Sequence, residues 1–178
     1  EKTKDKDALK QVNIMLKDFY VRNPKNTIVM SLLANSYRLE KEYIASLELY
    51  HRLHHIEPGD GKVLNNISVV FNECGKLDEA YKYAVEALKI NPKNIEAHNN
   101  MGVILFAQKK YEKSIDAFKC AIELDKFFAE SYYGLGTVNF QMGKFEKAIK
   151  HFKDTIKIDN KHYSSHNAIV WPLVLKGK

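Results

Sequence analysis

The chain has 178 residues, a formal net charge of +6, and 45% apolar against 28% charged residues. This balance is typical of a folded globular chain and excludes an intrinsically disordered one. With only 8 glycines and 4 prolines, the chain is also unlike a loop-rich all-β protein.

Composition also bounds the partners and the compartment. Arginine is scarce, whereas nucleic-acid-binding proteins usually carry clustered arginine, so no nucleic-acid partner is expected. No apolar run approaches the roughly 18 residues of a membrane-spanning helix, and no secretory signal opens the chain. Cys74 and Cys120 fall on different predicted elements, so they are not expected to pair, and both are interpreted as buried apolar side chains. A reducing, cytoplasmic location is therefore expected.

The first predicted element is a helix at 8–22, closed by Pro24, which cannot continue a helix. Its apolar residues recur at helical spacing, and they are Ala8, Leu9, Val12, Leu16 and Phe19. This helix is interpreted as the second half of a two-helix unit whose first half is expected upstream. Its inner face is then uncovered, so Phe19 is a candidate for self-association or docking.

Four units of equal length follow, at 27–60, 61–94, 95–128 and 129–162. Each has a small residue in its predicted first helix and another 12 positions later, and three units have an aromatic residue four positions after that. The three sets are Ala34, Ser68, Gly102 and Gly136; Ser46, Ala80, Ser114 and Ala148; and Tyr50, Phe118 and Phe152. Small residues let the two helices of a unit approach each other, and the aromatic residues fill the gap to the next unit. A fixed period of this length indicates a solenoid of helix pairs.

Two further features complete the pattern. Gly75 and Gly143 are expected to end first helices, because glycine suits the left-handed conformation found there. The chain from Tyr163 to Leu175 is predicted to form one last helix, which Pro172 kinks or ends. It is interpreted either as a cap over the fourth unit or as an end for docking or self-association, with Trp171 as the candidate residue.

The pattern resembles the tetratricopeptide repeat (TPR), in which a large residue, Leu-Gly, Tyr, Ala, Phe, Ala and Pro recur with a 34-residue period. This resemblance implies an all-α fold, an α-α superhelix (TPR solenoid) formed by a right-handed array of antiparallel helix pairs. One domain, 1–178, is expected, with a half repeat at 8–26, the four repeats above, and a C-terminal capping helix and tail at 163–178. The departures are Ala84, which replaces the aromatic residue of the second unit, and Lys126 and Asn160, which replace the proline of the third and fourth.

The resemblance implies that the first helix of each unit lines a concave groove for peptides. The candidate groove residues are Asn35, Arg38, Asn65, Asn66, Asn99, Asn100, Phe106, Tyr133 and Phe140. An asparagine amide has donors and an acceptor on one short stem, and it can bond both sides of an extended peptide backbone. The asparagine row is similar to those of peptide-binding TPR proteins, and the alternative interpretation is a polar, solvated wall.

TPR co-chaperones hold C-terminal carboxylates with Lys and Arg at set groove positions. Here Asn35 and Asn66 match the two asparagines of that clamp, but Ser31, Glu96 and Asn100 stand where cations are required. Without cations nothing offsets the desolvation of the carboxylates, so chaperone tails of this type are not expected as ligands.

Lysine is concentrated on the predicted turns and second helices, in a set that comprises Lys109, Lys110, Lys113, Lys119, Lys144, Lys147, Lys150, Lys153 and Lys157. The set is interpreted as a solvated face or as a surface for an acidic protein or an anionic membrane. His51 and His55 are four residues apart, but no third ligand accompanies them, so no metal or other cofactor is expected. No catalytic motif is present, and the chain is not expected to be an enzyme.

The leading hypothesis is a scaffold that binds partner proteins or peptides in the groove. The layout of four and a half repeats with a short apolar tail is also similar to the magnetosome-associated TPR family. That resemblance implies a homo-oligomer assembled through an end and peripheral association with an organelle membrane through partner proteins. The alternatives are a chaperone or secretion-complex subunit that holds a client segment, and a TPR module of a larger enzyme such as a glycosyltransferase.

Overall fold

The structure is a computed structural model that describes the backbone of residues 2–176 and the side chains of residues 10–176. Within that range the chain is all-α, without a strand. Its helices are α1 Lys2–Arg22, α2 Thr27–Leu39, α3 Tyr43–Ile56, α4 Gly61–Glu73, α5 Leu77–Ile90, α6 Ile95–Ala107, α7 Tyr111–Leu124, α8 Ala129–Gln141, α9 Phe145–Ile158, α10 Tyr163–Ala168 and α11 Val170–Lys176.

The helix starts repeat with the period of the sequence. The helices α2, α4, α6, α8 and α10 begin at positions 27, 61, 95, 129 and 163, at a constant interval. The helices α3, α5, α7 and α9 begin at positions 43, 77, 111 and 145, with the same interval. The helix pairs therefore follow the predicted 34-residue period without a shift.

Side-chain caps set several of these starts. Asn26 and Asn94 accept hydrogen bonds from the backbone N–H groups of Val29 and Ala97, and Asp60 accepts one from Lys62. These caps occupy equivalent positions in successive repeats and satisfy donors that a helix N-terminus leaves unpaired. The next position in the series is Phe128, which provides no side-chain cap for α8.

The chain divides into two compact units, Glu1–Ile90 and Asn91–Lys178. In the first, Ser46 donates a hydrogen bond of 2.8 Å to the Ala34 carbonyl, and Tyr50 is fully buried. In the second, Ser114 donates one of 2.7 Å to the Gly102 carbonyl. The predicted small positions thus lie at the contact between the two helices of a pair.

Two glycines of the second unit are required by neighbouring phenylalanine rings. A Cβ on Gly102 would lie 2.7 Å from the ring of Phe118, and one on Gly136 would lie 2.5 Å from the ring of Phe152. Both distances are far below van der Waals contact, so each ring packs directly on backbone. This is the close approach that the sequence pattern predicts.

The turn after each first helix contains one left-handed residue. Gly75 and Gly143 have φ of 80° and 71°, as predicted. The equivalent positions in the other two repeats are Lys41 and Lys109, with φ of 63° and 59°. A side chain at positive φ is strained, so the two lysines hold a conformation that glycine adopts freely.

Both ends differ from the predicted boundaries. The first helix begins at Lys2 rather than at residue 8, and the side chains of Ala8 and Leu9 lie outside the described residues. The last helix is broken between Ala168 and Val170, and α11 continues through Pro172. The break lies upstream because proline lacks the N–H that would bond to the carbonyl four residues earlier, which is that of Ala168.

The burial expected of both cysteines is wrong. Cys120 is exposed, and Cys74 is half-buried with its thiol donating to the Phe71 carbonyl at 3.4 Å. The buried stripe of α7 runs through Ala117, Phe118 and Ala121. Because successive helix residues point about 100° apart, the position before Ala121 points away from that stripe.

We expect Gly143→Ala to lower the free energy of unfolding by about 1 kcal/mol, because alanine is strained at positive φ. The matched control is Gly59→Ala, since Gly59 has no positive φ and a Cβ added there would have no neighbour within 4 Å. Urea unfolding monitored by circular dichroism gives both values. Equal effects of the two substitutions would contradict the conformational explanation.

Candidate functional site

A cavity of about 270 Å³ lies between α6 and α8 in the unit Asn91–Lys178. Its lining includes Asn99, Val103 and Phe106 from α6, and Glu130, Tyr133, Gly134 and Thr137 from α8. On each helix these residues are three or four positions apart, so they share one face. The opposite faces bury Met101 and Leu105 on α6 and Leu135 on α8.

The eighth lining residue, Phe118 on α7, forms the floor of the cavity. Its ring reaches the cavity because Gly134 has no side chain, and a Cβ there would overlap the ring. The sequence pattern indicates only a packing role for Phe118 and misses this second one. The available signal is Gly134, a second glycine two residues before Gly136 that the 34-residue pattern does not require.

Neighbouring rings hold the aromatic walls of the cavity. The ring centroid of Phe106 is 5.9 Å from that of Tyr111. Tyr133 is placed by two rings, with centroid distances of 5.7 Å to Phe152 and 5.0 Å to His162. Rings packed in this way have few alternative rotamers, so the slot between them is largely preformed.

Polar groups surround this apolar slot. The amide oxygen of Asn99 accepts a hydrogen bond of 3.0 Å from Ser131, and the Thr137 hydroxyl donates one of 3.0 Å to the Tyr133 carbonyl. Glu130 is exposed and adds a carboxylate to the lining. The arrangement suits an apolar side chain of a ligand whose backbone or cationic groups meet the polar residues.

Two predicted groove residues of this unit lie outside the cavity. Asn100 is half-buried on α6, and Phe140 packs its ring 5.9 Å from that of Phe145. The structure therefore brings together Asn99, Phe106 and Tyr133 but not these two.

The remaining candidate groove residues lie in the unit Glu1–Ile90. Asn35 and Asn66 are half-buried, on α2 and α4 respectively, and Asn65 is only 7% exposed. Arg38 on α2 is paired with Glu73 at the end of α4, with 2.5 Å between guanidinium and carboxylate atoms. The asparagine row is thus divided between the two units, and it remains a prediction as a peptide-binding feature.

Tyr50 lies in the core of the same unit, and the charges of Arg38 and Glu73 affect its pKa. It is fully buried, and its hydroxyl has no hydrogen-bond partner among the described residues. Desolvation raises the pKa of Tyr50 to about 12, while Arg38 acts to lower it and Glu73 to raise it. The fold therefore keeps a neutral phenol without a partner, which is destabilising.

The predicted end residues are both exposed, Phe19 on α1 to 50% and Trp171 on α11 to 66%. The histidines of α3 take part in ring packing, with the His51 centroid 5.8 Å from that of Tyr83 and 6.5 Å from that of Phe71. Across the described residues no group of three or more His, Cys, Asp or Glu side chains is placed to hold a metal. Nor does any helix there combine the length and apolar character needed to cross a membrane.

Family models match two overlapping stretches of the chain. Residues 94–161 match a model described as "Tetratricopeptide repeat", and residues 70–109 match one described as "TPR repeat". The chain carries tetratricopeptide repeats. A curated relative is the "Small glutamine-rich tetratricopeptide repeat-containing protein 2" of Mycosarcoma maydis, 29% identical over 79 residues that make up 44% of this chain. Those residues are only 22% of that relative, so the chain spans a small part of its length.

Solved TPR structures share the fold. A thermophilic TPR protein from Thermus thermophilus matches with a TM-score of 0.84 and 16% identity, over 97% of this chain and 94% of that one. The MamA protein matches with a TM-score of 0.69 and 22% identity, over 85% and 82% of the two chains. The first TPR of Spaghetti (RPAP3), bound to the HSP90 peptide SRMEEVD, matches with a TM-score of 0.64 and 19% identity, over 67% and 94%. The predicted TPR solenoid is confirmed as the fold class.

We expect Tyr50→Phe to raise the free energy of unfolding by about 1 kcal/mol, because it removes a buried hydroxyl that has no partner among the described residues. The gain should grow as the pH rises from 10 to 12. In that window an unfolded chain loses the phenol proton while the folded one retains it, so ionisation favours unfolding of the wild type. Chemical denaturation at pH 7, 10 and 11 measures the difference.

Tyr163→Phe is the control, since Tyr163 is exposed and its hydroxyl is open to water. It should leave stability unchanged across the same range. A loss of stability in Tyr50→Phe would mean that the hydroxyl makes a bond that stabilises the fold.

Proposed function

We propose that this chain is a non-enzymatic interaction scaffold that binds a peptide segment of a partner protein in the groove between α6 and α8. The observation that carries the proposal is the preformed cavity over Phe118, with aromatic walls and a polar rim. At about 270 Å³ it suits one large apolar side chain rather than a whole small-molecule ligand. The extended backbone of the peptide would then meet the amide of Asn99.

Charge defines which peptides fit. Glu96 on α6 and Glu130 on α8 are both exposed on the first helices of their repeats. Two carboxylates repel the acidic end of a peptide such as SRMEEVD, which the RPAP3 repeat binds. The ligand class that follows is a neutral or basic segment with a Leu, Met or aromatic anchor.

A peptide library displayed on phage and selected on the purified chain tests this proposal. Selected peptides that bind in the groove are expected to share an apolar anchor and to lack C-terminal acidic residues. Val103→Arg should weaken the binding of these peptides by about tenfold or more in titration calorimetry. The substitution places a long cationic side chain in the cavity without altering the buried core. The matched control is Val69→Arg at the equivalent position of α4, which should change affinity by less than about threefold.

Two outcomes contradict the groove as the site. One is equal loss of affinity in Val103→Arg and Val69→Arg. The other is a peptide with a C-terminal acidic end whose binding Val103→Arg weakens, because the charges of α6 and α8 exclude such a peptide from the groove.

Self-assembly through the first helix is a second candidate function. The helix α1 presents three apolar residues at helical spacing to solvent: Val12, Met15 and Phe19, of which Met15 is 72% exposed. Such a stripe is unfavourable in water and favours contact with a second copy. The resemblance of the sequence layout to the magnetosome-associated family implies an oligomer of this kind, and the MamA structures share the fold of this chain. Peripheral membrane association would then depend on partner proteins.

Size-exclusion chromatography with light scattering over a range of concentrations tests the second candidate. The wild type is expected to dimerise or form larger species, and the pair Met15→Ser and Phe19→Ser to shift it to monomer. Ile44→Ser is the control, because Ile44 on α3 is 78% exposed in the same unit. A strictly monomeric wild type contradicts the candidate, and an effect confined to Trp171→Ser moves the interface to the other end.

The roles of chaperone subunit, secretion-complex subunit and module of a larger enzyme depend on what else the gene encodes. Because the chain spans 22% of its curated relative, a longer open reading frame would decide among them. A catalytic motif in that frame would establish the enzyme module, in which the groove holds the protein substrate.

A further inference from the structure

A second and larger cavity lies on the other side of α8, where α7, α8 and α9 meet. Its volume is about 580 Å³. The apolar part of its lining comes from Ile115 and Ile122 on α7 and Leu135 on α8. Cavities of this size hold ligands or several side chains of a partner.

Four lysines line the same cavity, and they are Lys119, Lys144, Lys147 and Lys150. None of the four forms an ion pair with a carboxylate among the described residues. Glu123 is the one carboxylate in the lining, so four ammonium groups leave a net positive charge of three. Unpaired like charges repel each other, and an anionic ligand would relieve that repulsion.

His151 also lines the cavity, and its pKa responds to the positive charge of the lysines. Desolvation lowers its pKa first; Asp154 acts to raise it, and Lys150, Lys147 and Lys119 each lower it further. Its Nδ1 atom is buried without a hydrogen-bond partner among the described residues. Burial and the lysines thus both favour the neutral imidazole.

We propose that this cavity is a second binding site, specific for an acidic peptide segment of a partner protein. An apolar side chain of the segment packs on Ile115, Ile122 and Leu135, and the flanking carboxylates pair with the lysines. Lys147 and Lys150 are three residues apart on α9, so they lie on one face and meet neighbouring acidic residues.

The shape and lining of the cavity favour a peptide over other anionic partners. A bilayer surface is flat and does not enter a cavity between three helices. Nucleic acid binds through rows of phosphate contacts, whereas much of this lining is aliphatic. An aliphatic floor with a cationic rim matches a Leu or Phe flanked by Asp and Glu.

The inference goes beyond the groove proposed above, and the two sites use different residues. On α8 the groove takes Tyr133 and Thr137, whereas this cavity takes Tyr132, Leu135 and Asn139. The charges are opposite as well, with Glu130 in one lining and the lysines in the other. A peptide that prefers one site should be rejected by the other.

Fluorescence polarisation with a labelled probe peptide, acetyl-Glu-Asp-Leu-Phe-Asp-Glu-amide, tests the proposal. The double variant Lys147→Glu and Lys150→Glu should weaken binding by about tenfold or more. The matched control is Lys113→Glu and Lys153→Glu, which makes the same charge change on α7 and α9 outside the cavity lining. It should weaken binding by less than about threefold, and circular dichroism should show that both variants are folded.

Three results would overturn the proposal. Equal weakening by the two double variants would mean that only the overall charge matters. Equal binding of a probe with Ala-Ala in place of Leu-Phe would mean that the apolar floor is not used. Displacement of the probe by phosphatidylserine vesicles or by inorganic phosphate at comparable charge concentration would assign the site to a membrane or a simple anion.

Nuclear magnetic resonance of the His151 ring gives an independent readout. Bound carboxylates add negative charge beside the lysines, so the probe peptide should raise the pKa of His151. Val103→Arg should leave this rise intact, because it blocks the other groove. An unchanged His151 titration at saturating probe would place the peptide elsewhere and overturn the proposal.

Discussion

The two repeats of the unit Asn91–Lys178 depend on the contact of a phenylalanine ring with glycine backbone. Phe118 occupies the space that side chains on Gly102 and Gly134 would need, and Phe152 does the same beside Gly136. Each ring is nearly completely buried, which contributes roughly 1.5–3 kcal/mol relative to exposure. Because the ring meets backbone, even one added methyl group forces the helices apart, and the helix spacing is fixed by this contact.

The same contact creates the candidate groove. The ring of Phe118 passes between α6 and α8 and becomes the floor of the smaller cavity, so core packing and groove shape are set by one side chain. The walls are set in the same way, since Tyr133 rests on Phe152 and His162. A site built on core residues is rigid, and specificity then comes from the few exposed positions around it, such as Val103 and Glu130.

The fold can be predicted from the sequence because each packing and turn requirement recurs in several repeats. Small residues, turn glycines and capping residues recur at 34-residue intervals, so a departure such as Phe128 or Lys109 does not obscure the period. The burial of a single residue that the repeat pattern does not fix is harder to predict. The burial predicted for Cys120 is wrong because a one-residue error rotates a helical position by about 100°.

The candidate site can be predicted only in part, because some of its features are local departures from the repeat. The groove positions follow from the repeat, and Asn99, Phe106 and Tyr133 do line one cavity. The cavity itself depends on Gly134, a local departure from the pattern, and on how far the ring of Phe118 extends. For the larger cavity, which the four lysines line, the sequence indicates only the concentration of positive charge. Its aliphatic floor comes from residues on separate helices that no periodicity groups together.

The two cavities on α8 also bear on whether one repeat serves two ligands at once. A helix with its side chains is about 10–12 Å across, so the carboxylate of Glu130 and the lysines lie on opposite sides of a barrier of that width. At physiological ionic strength the Debye length is about 8 Å, so exposed charges at that separation are largely screened from each other. Each site therefore selects its ligand by its own charges, and the shared helix transmits little electrostatic coupling between them. Coupling would have to pass through packing, that is, through Phe118 and the helices it holds apart.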